Sequence, residues 1–185
     1  MPWDSETEGD AALSLSDIAE WYTTRIGKEL GPGPWHTVAP ADVMRFADAT
    51  HDWQWIHLDS ERALHGPYGV PVAHGFYALS LVPHLTSSLL DLRWTSLGLN
   101  YRVDRVRFPA PLPVGVRIRA GAHIKSVRVR PRDFLEVVLA VAVTAEGESV
   151  PACTVDHARL YQLAPGAVLP VDGPVDFTPD PRPGS

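Results

Sequence analysis

The sequence predicts an α+β domain in which a long antiparallel sheet wraps one central buried helix, and three observations predict it. Helix signals are confined to the first half of the 185 residues. The stretch from His74 to about Leu90 is apolar on nearly every face. From Leu97 onward the texture is that of strands. A helix that is hydrophobic all round must be covered all round, and helices followed by a run of hairpin-connected strands sort into one layer of each kind.

Taken in order, residues 1–15 read as a mobile acidic leader, because Met1 to Asp10 carry too little apolar surface to offset the entropy of ordering. Ser16 is placed to cap a helix through Ile18, Trp21, Tyr22 and Ile26, stopped before the run Gly31-Pro32-Gly33-Pro34. A second helix is expected from Pro40, a favoured first-turn residue, through Val43, Met44, Phe46 and Ala47. The buried helix follows a Gly/Pro loop at Gly66 to Pro71. The strands are expected over Tyr101–Phe108, Val116–Val129, Phe134–Thr144 and Pro151–Leu163, with breaks at Gly115, Pro131 and Gly147. One domain over residues 16–163 is the expectation. Residues 164–185 hold six of the eighteen prolines and read as an extended Pro-rich tail.

Composition excludes several function classes. With 45% apolar and 21% charged residues the chain is expected to fold as a globule. A net charge of -6 lacks the cationic surplus that phosphate backbones require, so no nucleic-acid partner is expected. No apolar run reaches the roughly 18 residues of a membrane span, and no membrane partner is expected. A single cysteine, and a first 24 residues with six acids and no Lys or Arg, predict a cytoplasmic protein without a signal peptide.

The residues best suited to chemistry are Asp52 and His57, in the segment Thr50-His51-Asp52-Trp53-Gln54-Trp55-Ile56-His57. Five residues apart, two side chains diverge on a regular helix or strand, so they converge only where the backbone bends. If they converge among Trp53 and Trp55, a carboxylate and an imidazole can share one water and shuttle protons near neutral pH. Spacing alone leaves the other reading open, in which Asp52 caps a turn and His57 is a satisfied, half-buried imidazole.

The string Phe46-Ala47-Asp48-Ala49-Thr50-His51-Asp52-Trp53-Gln54-Trp55-Ile56-His57-Leu58-Asp59, followed by Val72-Ala73-His74-Gly75-Phe76, resembles the signature of MaoC-like, (R)-specific enoyl-CoA hydratases. The Gln-Trp-Ile-His variant is similar to the nodulation-protein-N-like branch. The likeness continues through Asn100-Tyr101, Val106-Arg107-Phe108-Pro109-Ala110-Pro111 and Pro113-Val114-Gly115, covering roughly residues 18–163. The resemblance implies a hot-dog fold and a homodimer. It implies Asp52 and His57 as the catalytic pair that activates water, and Gly75 as the oxyanion-hole residue whose N–H receives the thioester carbonyl. Trp55, His74 and Phe76 are expected at the substrate. One position departs from the motif: the residue before the catalytic Asp is usually Gly and here is His51.

The other candidates are weaker. His65, His74 and His84 invite a metal reading, but no pair has His-x₃-His or Cys-x₂-Cys spacing, so no metal is expected. Cys153 and His157 lie about 13 Å apart along a strand, which disfavours a thiol nucleophile. Arg128, Arg130 and Arg132 alternate on one face of a strand end, either to meet the phosphates of a coenzyme or carrier arm or to keep an edge soluble.

The resulting expectation is a carbon–oxygen lyase that interconverts a trans-2-enoyl thioester and an (R)-3-hydroxyacyl thioester without a cofactor, acting on acyl-CoA or an acyl-carrier-protein substrate. The rivals are a tailoring dehydratase or cyclase working on a carrier-bound polyketide, a non-catalytic subunit that binds acyl thioesters, and a thioesterase.

Overall fold

The computed structural model describes residues 12–173. Most of the acidic leader and the last twelve residues of the Pro-rich tail lie outside that range. In chain order the elements are α1 (Leu15–Thr23), β1 (Glu29–Leu30), β2 (His36–Thr37), α2 (Pro40–Thr50), α3 (Trp55–Leu58), α4 (Ser60–Leu64), β3 (Val72–Ala73), α5 (Gly75–Ser80), α6 (Val82–Leu85), β4 (Thr95–Arg107), β5 (Leu112–Pro113), β6 (Arg117–Arg130), β7 (Phe134–Ala145) and β8 (Cys153–Leu163).

Four long strands and two short ones form a six-stranded antiparallel sheet in the order β1-β6-β7-β8-β4, with β2 also paired to β6. Hairpins join β6 to β7 and β7 to β8, so each strand's alternation is set by its neighbour's. Leu135, Val137, Leu139, Val141 and Val143 of β7 stand opposite Val129, Val127, Ile124, Ala122 and Ala120 of β6. All five β7 residues are buried on one face, and at about 1.5–3 kcal/mol per large apolar side chain that face anchors the domain. Against it pack Tyr77, Ala78, Val82, Leu85, Leu89 and Leu90. The fold is therefore the hot-dog arrangement, α+β with the sheet wrapped on a central helical rod.

The rod is shorter than its apolar pattern predicts. The helix expected to about Leu90 is two short helices that end at Leu85, joined at Leu81. Pro83 has no N–H to give to the carbonyl four residues back, so the ladder must interrupt there, and Thr86 Oγ1 then closes the end on the Val82 carbonyl at 2.7 Å. The first helix is capped by Ser14, not Ser16: Ser14 and Asp17 make a reciprocal capping box that position 16 could not complete. Arg132 is not on the strand but in the β6–β7 turn, at φ 63°. Arg130 is committed to buried Glu136 at 2.8 and 3.0 Å, so the three arginines are not a row of free cations. The described start of the tail folds back: Val171 N–H donates to Asp91 at 3.1 Å and Asp172 pairs with Arg25. No helix among the described residues is long and apolar enough to cross a membrane.

Candidate active site

The site is assembled where α2 ends. His51 takes the left-handed conformation, φ 59° and ψ 29°, and the N–H groups of His51 and Asp52 both turn back to the Ala47 carbonyl. That reversal gives a physical reason for the glycine expected here from the resembling motif. The position calls for positive φ, which glycine adopts freely and histidine tolerates better than most side chains. The His51 ring packs edge-on against Trp53 at 5.2 Å, and Trp53 Nε1 donates to Asp48 at 2.9 Å. His51 is exposed and lines neither of the clefts described below.

From Asp52 the chain runs without regular structure to Gln54, then makes the single turn α3, whose last residues include His57. This bend does what the spacing required. Asp52, His57 and His74 each offer one side-chain ligand atom, and these atoms lie within 4.8 Å of one another. One water hydrogen-bonded at about 2.8 Å to two of them spans such a gap.

Each group is held differently. His57 Nδ1 donates to the Val72 carbonyl at 2.6 Å, which leaves Nε2 with a lone pair. Burial lowers the His57 pKa below the usual histidine value; the Val72 carbonyl and Asp52 oppose that shift, and His74 adds to it. The ring is thus kept neutral and able to accept a proton. His74, buried as the residue before α5, donates from Nε2 to the Asp52 backbone carbonyl at 2.9 Å and stacks on His57 with centroids 3.7 Å apart. The Asp52 side chain is 54% exposed and its Oδ2 stays 3.9 Å from His74 Nε2, beyond a hydrogen bond.

The same three residues are the set from which a divalent ion would draw. However, the His74 nitrogen facing the carboxylate already gives its proton to the Asp52 carbonyl, and a metal ligand needs that lone pair. The arrangement as it stands suits proton handling.

Two separate clefts draw lining residues from the start of α5. One, of about 440 Å³, is lined by Phe46, Thr50, Asp52, His74, Phe76, Leu79 and Ser80. The other, of about 380 Å³, has His57, Tyr68, Val72, Gly75 and Phe108 among its lining residues. Phe76 of the first, 68% exposed, and Phe108 of the second have ring centroids 5.8 Å apart. Gly75 opens α5, so its N–H has no intrahelical acceptor. A Cβ there would meet the Phe108 ring at 2.8 Å, which gives the glycine a steric reason apart from any ligand. A larger cleft of about 890 Å³, between the Lys28–Pro34 loop and Leu89, includes neither member of the Asp52–His57 pair.

Of the residues expected at the substrate, His74 and Phe76 are brought to Asp52, while Trp55 is not. Trp55 packs on Gly66, carries the Arg62 guanidinium at 4.4 Å over its ring, and lines a separate cleft with Asp59 and His65. Cys153 is buried, and burial pushes its thiol up to about 11, the opposite of an activated nucleophile. Sequence reasoning missed Phe46, Leu79, Phe108 and the Val72 carbonyl. Phe108 stood in a quoted motif without a role; a backbone carbonyl leaves no sequence signal.

The profile of the MaoC like domain matches residues 22–146. The chain belongs to the MaoC-like family of hydratases and dehydratases. It is 38% identical over 148 residues to 3-hydroxyacyl-thioester dehydratase Z of Mycobacterium tuberculosis, covering 80% of this chain and 95% of that one. It is 39% identical over 155 residues to nodulation protein N of Rhizobium leguminosarum bv. viciae, covering 83% and 94%. A solved MaoC-like dehydratase from Rhodospirillum rubrum aligns with a TM-score of 0.63 at 19% identity, over 83% of this chain and 99% of that one. That likeness bears on the fold of this MaoC-like chain alone.

Proposed function

We propose that this MaoC-like protein is a carbon–oxygen lyase that adds water to a trans-2-enoyl thioester and, in reverse, removes it from the (R)-3-hydroxyacyl thioester, with Asp52 and His57 as the catalytic pair. The observation that carries the reading is the convergence of a carboxylate and a neutral imidazole on a water-sized gap, Asp52 lining one cleft and His57 the other. The apolar cleft of Phe46, Phe76 and Leu79 suits the acyl chain, and the cleft shared by His57 and Gly75 suits the thioester carbonyl.

In the hydration direction the His57 Nε2 lone pair accepts a proton as the water oxygen bonds to C3. Asp52 accepts a hydrogen bond from the water's other O–H and so orients it, that hydrogen staying on the new C3 hydroxyl. The electron pair of the double bond moves onto the thioester carbonyl, whose developing oxyanion is received by the Gly75 N–H. The enolate then collapses, with a proton from the pair returned to C2, so that one water is added in all. The thioester itself acidifies C2, so this chemistry calls for no organic cofactor or metal. The cytoplasmic setting, the homodimer, the choice of acyl-CoA or carrier-protein thioester as partner, and the confinement of activity to residues 16–163 belong to the same proposal.

Hydration of crotonyl-CoA, followed as loss of the enoyl thioester absorbance, tests it. Asp52→Asn and His57→Ala should each lower kcat by about 10²–10⁴-fold, Asp52→Asn with little change in melting temperature, since Asp52 is exposed. Full activity in either variant would remove the pair from the mechanism. A protein silent on every short and medium enoyl-CoA but active on a carrier-bound substrate would move the substrate class instead.

A further inference from the structure

We propose that His74 is a positioning residue that sets the geometry of the Asp52–His57 pair from beneath, in place of the substrate contact that the motif alone assigns to it. The inference rests on the reading of that pair as the proton-handling groups. His74 is 3% exposed, and Phe46 packs at 5.2 Å and His57 at 3.7 Å from its ring. Its one hydrogen bond runs from Nε2 to the carbonyl of Asp52, and Nδ1 is buried without a partner. A side chain committed in this way has little left to offer a ligand.

What it does offer is constraint. The segment from Asp52 to Gln54 has no regular structure of its own, and its Gln54 N–H reaches the Asp52 carboxylate only at 3.4 Å. The His74 bond to the Asp52 carbonyl therefore ties this bend to the start of α5, a distance of 22 residues along the chain. His57 is tethered at one ring edge by the Val72 carbonyl. That tether alone leaves rotation about the bond, and the stacked His74 face removes it. Both reacting groups are thus referenced to Val72 through Gly75, the segment that also presents the proposed oxyanion donor. A displacement of about 1 Å in such a constellation costs on the order of 10²-fold in rate.

The test compares two variants. His74→Leu fills the volume but cannot donate; His74→Gln places a side-chain N–H where Nε2 was. The expected result is a kcat lowered roughly 10²-fold in His74→Leu with KM within about twofold, and most of that loss recovered in His74→Gln. Crystal structures should show Asp52 and His57 displaced in the Leu variant and restored in the Gln variant. A raised KM with kcat intact, equal damage in both variants, or an undisplaced pair in His74→Leu would overturn the positioning role. If His74→Leu does not fold, His74→Gln still decides: near-native kcat and an undisplaced pair support the role, and a severely lowered kcat overturns it. Should Asp52→Asn and His57→Ala prove fully active, the proposed function falls, while the displacement seen in the His74 structures still judges this inference.

Discussion

His157 shows how one buried group couples this chain's stability to pH. It projects from β8 at 2% exposure, donates from Nε2 to Asn100 Oδ1 at 3.0 Å, and has no partner for Nδ1. Burial, with the Arg159 charge adding to it, lowers its pKa to about 4. The folded protein therefore binds fewer protons here than the unfolded chain, whose value is 6.5. That contribution is fully present above pH 6.5 and is lost as pH falls towards 4, by roughly 3 kcal/mol at the limit. His57 and His36, also lowered by burial, act in the same direction. Asp91, held down to about 2 chiefly by Arg93, stays ionised in the folded protein throughout that window. Chemical denaturation at pH 7 and pH 4.5 should show a clear loss of stability in the parent and a smaller one in His157→Gln. A parent whose stability does not change between those pH values would contradict the buried, neutral imidazole.

At the scale of elements, the C-terminus of α2 carries the sharpest prediction. At an ordinary helical position alanine is better than glycine by about 1 kcal/mol. At position 51 the order should invert, because φ is positive and only glycine takes that conformation without cost. His51→Gly is expected to be more stable than His51→Ala by about 1 kcal/mol in thermal or denaturant unfolding, with turnover equal in the two. Alanine ahead of glycine would mean that α2 does not end in this way. This position also marks the boundary of what could be read in the chain. The four long strands, the amphipathic α2 and the apolar rod were legible because burial selects apolar residues; in β7 this gives a buried run from Leu135 to Leu139 and strict alternation only from there to Ala145. Ser14 was missed for Ser16 because a capping box depends on the Asp three residues on. The break in the rod was missed because apolar content is blind to the N–H that Pro83 lacks. At the site, the Asp-to-His spacing was legible only as a condition, that the backbone bend. The Val72 carbonyl, the stacking of His74 and the Phe108 ring over Gly75 all arise from segments distant in sequence, and no local pattern encodes them.

At the scale of the molecule, the described residues leave one side of the sheet open. On the far edge of the sheet the short strands β1 and β2 cover β6, but β4, thirteen residues long, has β8 as its single partner among the described residues. Leu97, Leu99, Tyr101 and Val103 of β4 are between 41% and 54% exposed, and Phe76 and Phe108 add to the uncovered apolar surface. A long apolar edge left in water invites open-ended pairing. Here three register shifts along β4, with Arg105 at φ 51°, break the ladder, and bulges of this kind block indiscriminate strand addition while leaving side chains available for a shaped contact. The surface therefore fits a second copy docked about a twofold axis, and the exposed Phe76 and Phe108 would carry that contact to the mouth of both clefts. Sedimentation of the parent at micromolar concentration should give a dimer. Tyr101→Lys with Val103→Lys should give a monomer, and reduced crotonyl-CoA hydratase activity in it would tie the proposed dimer to the clefts. A parent that sediments as a monomer with full activity would show that one chain completes the site alone.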